Sequence, residues 1–407
     1  MTAPHLTQDP SRASAAPTAP GPEAVLGVPA RTAVTVTAVV VTHGRTPFLQ
    51  ATLAALGAQD CAPDDVVVVD TDAARSTGDH DGLRMGDHRY VPASSVRSLG
   101  DAVDRALTAE AEEGDPDREP GGWVWILHDD SAPAPDALGR LLRAVEHSAA
   151  VAVAGCKQRR WTLEADGRPA APDPARPGLL VEVGYTVSPL GRRMTGIDES
   201  EIDQGQHDAR EDVLAVGLAG ALVRRRVWTE LGGTDPEAGV FGDSLDLCRR
   251  ARLAGHRVVV VPDAVVHHAQ ASLRGLRRPR THRARGTASS AYARRRSQLY
   301  ARLVSVPLPL LPLALVAMVV WAPFVAGYRL ALKSPAGARD EILAPLVTVL
   351  RVVPLVRGRR RAARTRSLPR RVLRPLRADW RQVAAERGDA RGDRSHGTTV
   401  RIGRFQL

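Results

Sequence analysis

The sequence predicts an α/β domain built on a mostly parallel sheet, followed by a membrane-associated helical segment. Three observations carry this. Runs of β-branched and large apolar residues, at 35–42 (TVTAVVVT), 66–70 (VVVVD) and 123–127 (WVWIL), alternate with stretches whose apolar residues recur at helical spacing. Acids gather where these runs end: Asp70 closes one, and His128, Asp129 and Asp130 follow another. In open α/β sheets the carboxyl ends of the strands are where ligands bind. Finally, residues 303–332 are apolar apart from Ser305, Tyr328 and Arg329, long enough to cross a bilayer.

Composition narrows the partners. A net charge of +11 and a pI near 10.5 call for something anionic: nucleic acid, acidic lipid or a phosphorylated substrate. The charge is arginine, since Lys157 and Lys333 are the only lysines. It clusters at Arg294–Arg296 before the apolar stretch and at Arg357, Arg359, Arg360, Arg361, Arg364 and Arg366 after it. Clusters in those places fit a cytoplasmic segment beside anionic membrane lipid. No helix-turn-helix, zinc-finger or aromatic RNA-binding pattern accompanies them, so nucleic acid is not the expected partner. Cys61, Cys156 and Cys248 are scattered and odd in number, which suits a reducing compartment and no zinc site.

The elements follow in order. Residues 1–32, rich in Ala, Pro, Thr, Ser and Gly, form neither a signal peptide nor a span and read as a disordered tail. The strand at 35–42 leads through a loop (HGRTP) to a helix marked by Phe48, Leu49, Leu53 and Leu56, then to the strand at 66–70, a βαβ unit. The polar stretch 71–91 reads as an exposed connection, 98–107 as a helix and 110–122 as a charged loop. After the central strand the acids have two readings. They hold a divalent cation carrying a diphosphate, or Asp130 or Ser131 caps a helix with Pro133 in its first turn. Leu138, Leu141, Leu142 and Val145 mark a helix at 136–148. Strands are expected at 151–154 and 213–223, a loop at 155–178, turns at 228–241, a helix at 245–253, and a strand pair at 257–261 and 265–266 before His267 and His268. The expected domains are 33–275 for the α/β unit, 276–302 for a basic linker, 303–332 for a transmembrane helix and 357–407 for a basic cytoplasmic tail. Between the last two, the apolar run 342–356, interrupted by Arg351, is a short second span or an interfacial helix.

From residue 35 to about 270 the order of motifs resembles the family-two inverting glycosyltransferases of the GT-A fold, especially the actinobacterial, membrane-associated ones that build cell-envelope polysaccharides. TAVVVTHGR at 37–45 is similar to the family's first strand and nucleotide loop, and VVVVD to the strand whose acid contacts the nucleoside base. SLGDAVDRAL at 98–107 resembles the Leu-Gly helix beside the nucleotide, and HDD stands where the family has its metal-binding Asp-x-Asp. GLAGALVRRRVWTELGGTD at 217–235 resembles the segment leading to the acceptor site. FGDSLDLCRRARLAGHRVVVVPDAVVHH at 241–268 resembles the one carrying the base and a late histidine.

The resemblance implies roles. Thr42, His43, Arg45, Asp70, Gly100, His128 and Asp129 would bind a nucleotide-diphosphate sugar, with UDP- or dTDP-linked galactofuranose or rhamnose as examples. Asp130 and His268 would hold Mg²⁺ or Mn²⁺, and Trp161 and Gly220 would meet a glycan or lipid-linked acceptor. His268 has a plainer reading as a strand-end residue, and His267 is its competitor. The family's Glu-Asp-x-Asp is Asp243, Ser244, Leu245 and Asp246 in this chain. Ser244 thus replaces the acid often assigned as the base, and a hydroxyl cannot serve as base near neutral pH. Asp243 is the expected substitute, then Asp246; alternatively the two form a capping box. The implied enzyme sits at the cell membrane with its catalytic domain in the cytoplasm. A catalytically inactive, membrane-tethered scaffold is the competing class. A nucleotidyltransferase is disfavoured, because HGR at 43–45 is a poor stand-in for a Gly-rich phosphate loop.

Overall fold

The computed structural model describes residues 34–384 apart from 45, 73–87, 114–121, 147, 165, 172–176, 272, 275 and 277–289. The expected tail at 1–32, Arg45 and the first part of the basic linker therefore lie outside the described residues. The chain runs β1 (Val36–Thr42), α1 (Leu49–Gly57), β2 (Asp65–Asp70), β3 (Arg89–Pro92), α2 (Leu99–Glu113), β4 (Trp123–His128), β5 (Ser131–Pro133), α3 (Ala137–Glu146) and β6 (Val151–Arg160). It continues through β7 (Leu180–Glu182), β8 (Thr186–Val187), β9 (Arg193–Met194), β10 (Ala221–Arg224), α4 (Arg225–Leu231), α5 (Asp243–Leu253) and β11 (Arg257–His268).

One mixed sheet organises this part, with strand order β3-β2-β1-β4-β10-β6-β11-β5 and β7 added beside β6. β3, β2, β1 and β4 are parallel neighbours, β10 is antiparallel to both β4 and β6, and β11 is parallel to β6. The order departs in both directions from β1, so the switch point lies between the carboxyl ends of β1 and β4, where a crevice opens in this architecture. Period-two alternation splits the apolar side chains between two cores. Val39, Val67 and Ile126 face α2, α4 and α5. Val40, Val68 and Leu127 face α1 and α3. The α/β expectation, with a mostly parallel sheet and flanking helices of GT-A type, describes this fold.

Several local expectations give way. Residues 131–133 do not begin a capped helix: they form β5, antiparallel to the end of β11. The Ser131 hydroxyl instead closes the turn, accepting from His128 N at 2.9 Å and donating to His128 O at 2.8 Å. β6 runs ten residues, to Arg160, through what reads as a loop. The last strand pair is the single strand β11, with a register shift between Val261 and Val265 that absorbs Pro262. Glu110 belongs to α2 and is buried, because Arg225 pairs with it at 2.8 Å and the Thr37 hydroxyl donates to it at 3.0 Å. Of the expected strand 213–223 only its end is strand, in β10, and Trp228 is helical, in α4.

The apolar stretch 303–332 is not one helix. α6 (Ser290–Ser305) ends inside it, and Leu303 and Val304 are buried against other helices. After Pro307 and a short 3-10 turn comes α7 (Leu311–Ala331). Leu308–Ala331 is, among the described residues, the one helix long and apolar enough to cross a membrane, with mean hydropathy 2.2. Met318, Ala322 and Ala326, four residues apart, turn inward, while Leu313, Val316, Trp321 and Phe324 are exposed. The run 342–356 is also broken, at Arg351, between α8 (Pro335–Leu350) and α9 (Val352–Arg364). Arg351 is tied to Glu237 at 2.8 Å. α8 packs along α6 and α7, and α9 against α6. Gly358 lets α9 approach the Tyr300–Asp235 hydrogen bond of 2.6 Å, where any Cβ would collide.

Candidate active site

The parallel strands deliver their carboxyl ends to one edge. Asp70, ending β2, accepts from Gly44 N at 2.9 Å, Asp72 N at 2.8 Å and the Tyr90 hydroxyl at 2.9 Å, so its carboxylate shapes the loop after β1. His43 is hydrogen-bonded through Nδ1 to Thr71. Asp129 is fully buried and accepts from the hydroxyls of Thr42 at 3.2 Å and Thr46 at 2.9 Å. The Thr52 hydroxyl donates to its backbone carbonyl at 2.7 Å. Thr42, His43, Asp70 and Asp129 are therefore joined across the switch point.

β5 explains how distant residues meet. Its antiparallel register sets His268 opposite Ser131. Ala269 N donates to Asp130 O at 3.0 Å and Ala271 N to Asp130 Oδ2 at 2.7 Å. His268 Nε2 lies 3.6 Å from Asp130 Oδ1, and the His128 and His268 rings meet edge to face at 5.5 Å. One ligating atom from each of His128, Asp130 and His268 falls within 4.8 Å of the others. Two imidazoles and a carboxylate so placed are a donor set suited to a divalent first-row metal such as Mn²⁺. His267 points elsewhere: burial, with Arg159 nearby, pushes its imidazole down to about 4, so it is neutral.

Sequence reasoning missed the residue that aims His268. Gln158 Oε1 is 2.9 Å from His268 Nδ1, and its amide nitrogen donates to Ala219 O at 3.3 Å. Accepting the Nδ1 proton leaves Nε2 with its lone pair toward Asp130, the orienting device of many metal-binding histidines. Gln158 lies in the part of β6 whose sequence reads as loop, so no pattern marks it.

At the start of α5 the two acids differ in kind. Asp246 accepts from Arg250 through Nε at 2.9 Å and Nη2 at 2.5 Å, and from Asp235 N at 3.0 Å. Burial alone would raise its carboxyl, but Arg250 outweighs this and holds it below the ordinary range. Asp243 is buried with no such clamp, accepting from Ser244 N at 2.6 Å. Burial, only partly offset by that hydrogen bond and by Arg193, pushes its carboxyl up to about 7. The helix N-cap is Gly242, so neither acid caps it as a box. Ser244 is bonded to the Tyr185 hydroxyl at 2.7 Å, and Arg193 lies over the Tyr185 ring at 4.0 Å.

Three expected site residues have packing explanations. A Cβ at Gly100 would collide with Thr234. Gly220 sits at φ +86° in the turn that enters β10, its nitrogen donating to Ile126 O at 2.8 Å. Trp161 is 3% exposed, packed on Phe48 and donating to Ala170 O at 2.9 Å, so its ring presents no face to an acceptor.

A family model described as glycosyltransferase like family 2 matches residues 32–296, and the chain belongs to that family. Its class is therefore that of the glycosyltransferases. The galactofuranosyltransferase GlfT1 of Mycolicibacterium smegmatis is 30% identical over 230 residues, covering 54% of this chain and 66% of the relative. The chain thus spans just under two thirds of that relative's length. Among solved structures, GalNAc-T7 with UDP, GalNAc and Mn²⁺ aligns at TM-score 0.44 and 13% identity, over 66% of this chain and 48% of that one. The mannosyltransferase PcManGT of Pyrobaculum calidifontis with GDP-Man and Mn²⁺ aligns at TM-score 0.40 and 17% identity, over 77% and 85%. Scores this low carry no functional weight.

Proposed function

We propose that the chain transfers a sugar, with inversion, from a nucleotide-diphosphate donor to a cell-envelope glycan or lipid-linked acceptor. The reaction depends on Mg²⁺ or Mn²⁺ and takes place on the cytoplasmic side of the cell membrane. The observation that carries this is the convergence of His128, Asp130 and His268 at the carboxyl end of β4, beside Asp70 and Asp129. A bound divalent cation would supply Lewis-acid stabilisation of the departing diphosphate. Asp130 and His268 would hold it, with His128 as third donor, and Gln158 fixes the tautomer of His268. Asp70 and Asp129, with Thr42 and His43, position the nucleoside and ribose. UDP- or dTDP-linked galactofuranose or rhamnose are the donors to try first, and the name of the M. smegmatis relative puts galactofuranose ahead.

Inversion requires a base to take the acceptor hydroxyl proton as its oxygen attacks the anomeric carbon. Asp243 fits: burial pushes its carboxyl up to about 7, which makes it a stronger base than an ordinary carboxylate. Asp246, held through Oδ2 by Arg250 and the Asp235 backbone nitrogen, organises the helix start instead. The test is a donor screen by thermal shift with and without Mn²⁺, followed by turnover with UDP-galactofuranose. Metal-dependent stabilisation by one donor and release of its nucleotide on adding acceptor support the proposal. Donor binding without any turnover favours the inactive scaffold.

A further inference from the structure

Most arginines after the apolar segment read as a solvated charge run, but a subset converges on one depression. α5, the end of α6, α9 and the short 3-10 turn Arg370–Leu373 enclose it. Arg249, Arg366, Arg370 and Arg377 line it, with apolar surface from Val304 and Leu373. Arg249 is 6% exposed and donates to Ala301 O at 3.0 Å. Its nearest carboxylate is Asp246, whose Oδ1 lies 3.9 Å from Arg249 Nη2 while Arg250 holds Oδ2 at 2.5 Å. No carboxylate pairs with Arg366, Arg370 or Arg377 among the described residues. The charges that bear on Arg370 are Arg366 and Arg359, and on Arg377 it is Arg374, all of like sign. Four guanidinium groups with one carboxylate beside them, itself shared with Arg250, leave a standing electrostatic cost that a phosphate, accepting several charge-assisted hydrogen bonds, would relieve.

Position names the source of that phosphate. Val304 and Ser305 line the depression, and Leu308, where the membrane-length helix begins, is three residues beyond Ser305. A headgroup seated there would leave its acyl chains level with the start of α7, and the apolar wall suits the glycerol end of a lipid. We propose that Arg249, Arg366, Arg370 and Arg377 form a binding pocket for the phosphate headgroup of an anionic membrane lipid. The site rests on the membrane reading of Leu308–Ala331 for its ligand, but not on the transferase chemistry. It fixes the height of the catalytic domain over the bilayer, because Arg249 shares helix α5 with Asp243 and Asp246.

The test is calorimetric titration of the detergent-solubilised full chain, without donor or metal, using three probes: dihexanoyl phosphatidic acid, dihexanoyl phosphatidylcholine and inorganic phosphate. Saturable binding of the phosphatidic acid is expected, weaker at higher salt. The double variant Arg366→Gln/Arg370→Gln should lose about tenfold in affinity or more. Arg168→Gln/Arg226→Gln, which removes the same charge from exposed sites elsewhere, should lose none. Arg377→Gln, at an exposed position, repeats the test if the double variant unfolds. Equal affinity in all variants, or phosphatidylcholine binding as well as phosphatidic acid, overturns the pocket. Inorganic phosphate binding as tightly as the lipid overturns the headgroup assignment. Membrane fractionation of the full chain tests the span separately, and a soluble chain would overturn the span without touching the transfer reaction.

Discussion

The chain carries two short acidic motifs, His128-Asp129-Asp130 after β4 and Asp243-Ser244-Leu245-Asp246 at the start of α5, and they are built on the same plan. In each, the two acids have different partners. Asp129 is held by the Thr42 and Thr46 hydroxyls, whereas Asp130 faces two histidines. Asp246 is clamped by Arg250, whereas Asp243 has only a backbone donor and its neighbour Arg193. What separates the motifs is the charge they require. The first sets two imidazoles beside a carboxylate, and in the second burial pushes the carboxyl of Asp243 up to about 7. Residue type alone does not tell the two acids of each motif apart; their partners do.

The comparison breaks most visibly at Asp130. Asp130→Ala should abolish transfer and Mn²⁺ binding, read by titration calorimetry, while the melting temperature without metal stays close to wild type. Undiminished transfer in chelator, with metal removal verified, would contradict it. Next comes Asp243→Asn, for which turnover should fall by roughly a hundredfold at saturating donor, with donor and metal affinity kept. The same variant has a stability signature. The folded-state carboxyl lies near 7, above its unfolded value, so its contribution to stability is full below about pH 4 and is lost as pH rises through 7. Asn cannot ionise, so the variant should melt above wild type at pH 8 and level with it at pH 4.

Smaller effects sharpen the division. Gln158→Leu should weaken Mn²⁺ affinity by about tenfold, because His268 loses the partner that fixes its tautomer. Unchanged affinity would show that the hydrogen bond is incidental. Asp246→Asn should reduce turnover least among folded molecules, yet lower stability by about 3 kcal/mol, since Arg250 is left buried without its counter-charge. A turnover loss matching that of Asp243→Asn would erase the distinction between the two acids.

Much of this was legible in the sequence. The β-branched runs marked β1, β2 and β4 because strands buried on both faces are continuous in apolar residues, and Asp70 and Asp130 stood where those strands had to end. β5 was not legible: Ser131, Ala132 and Pro133 read as well as a helix start, and only pairing with β11 decides otherwise. Gln158 was hidden because the second half of β6 is polar, its side chains spent on His268 and Asp203 rather than on a core. Trp161 misled in the opposite direction, since a lone aromatic in a polar stretch looks like a ligand platform until its burial on Phe48 is seen. The arginine pocket joins residues from 249 to 377, a spacing no local pattern records.

The division of roles between Asp243 and Asp246 is tested most directly by the pH dependence of kcat at saturating donor and metal. The account predicts a rising limb with an apparent pKa near 7, falling about tenfold per unit below it, which disappears in Asp243→Asn and persists in Asp246→Asn. A profile flat from mildly acidic to mildly alkaline pH, or the same limb in Asp243→Asn, would contradict it.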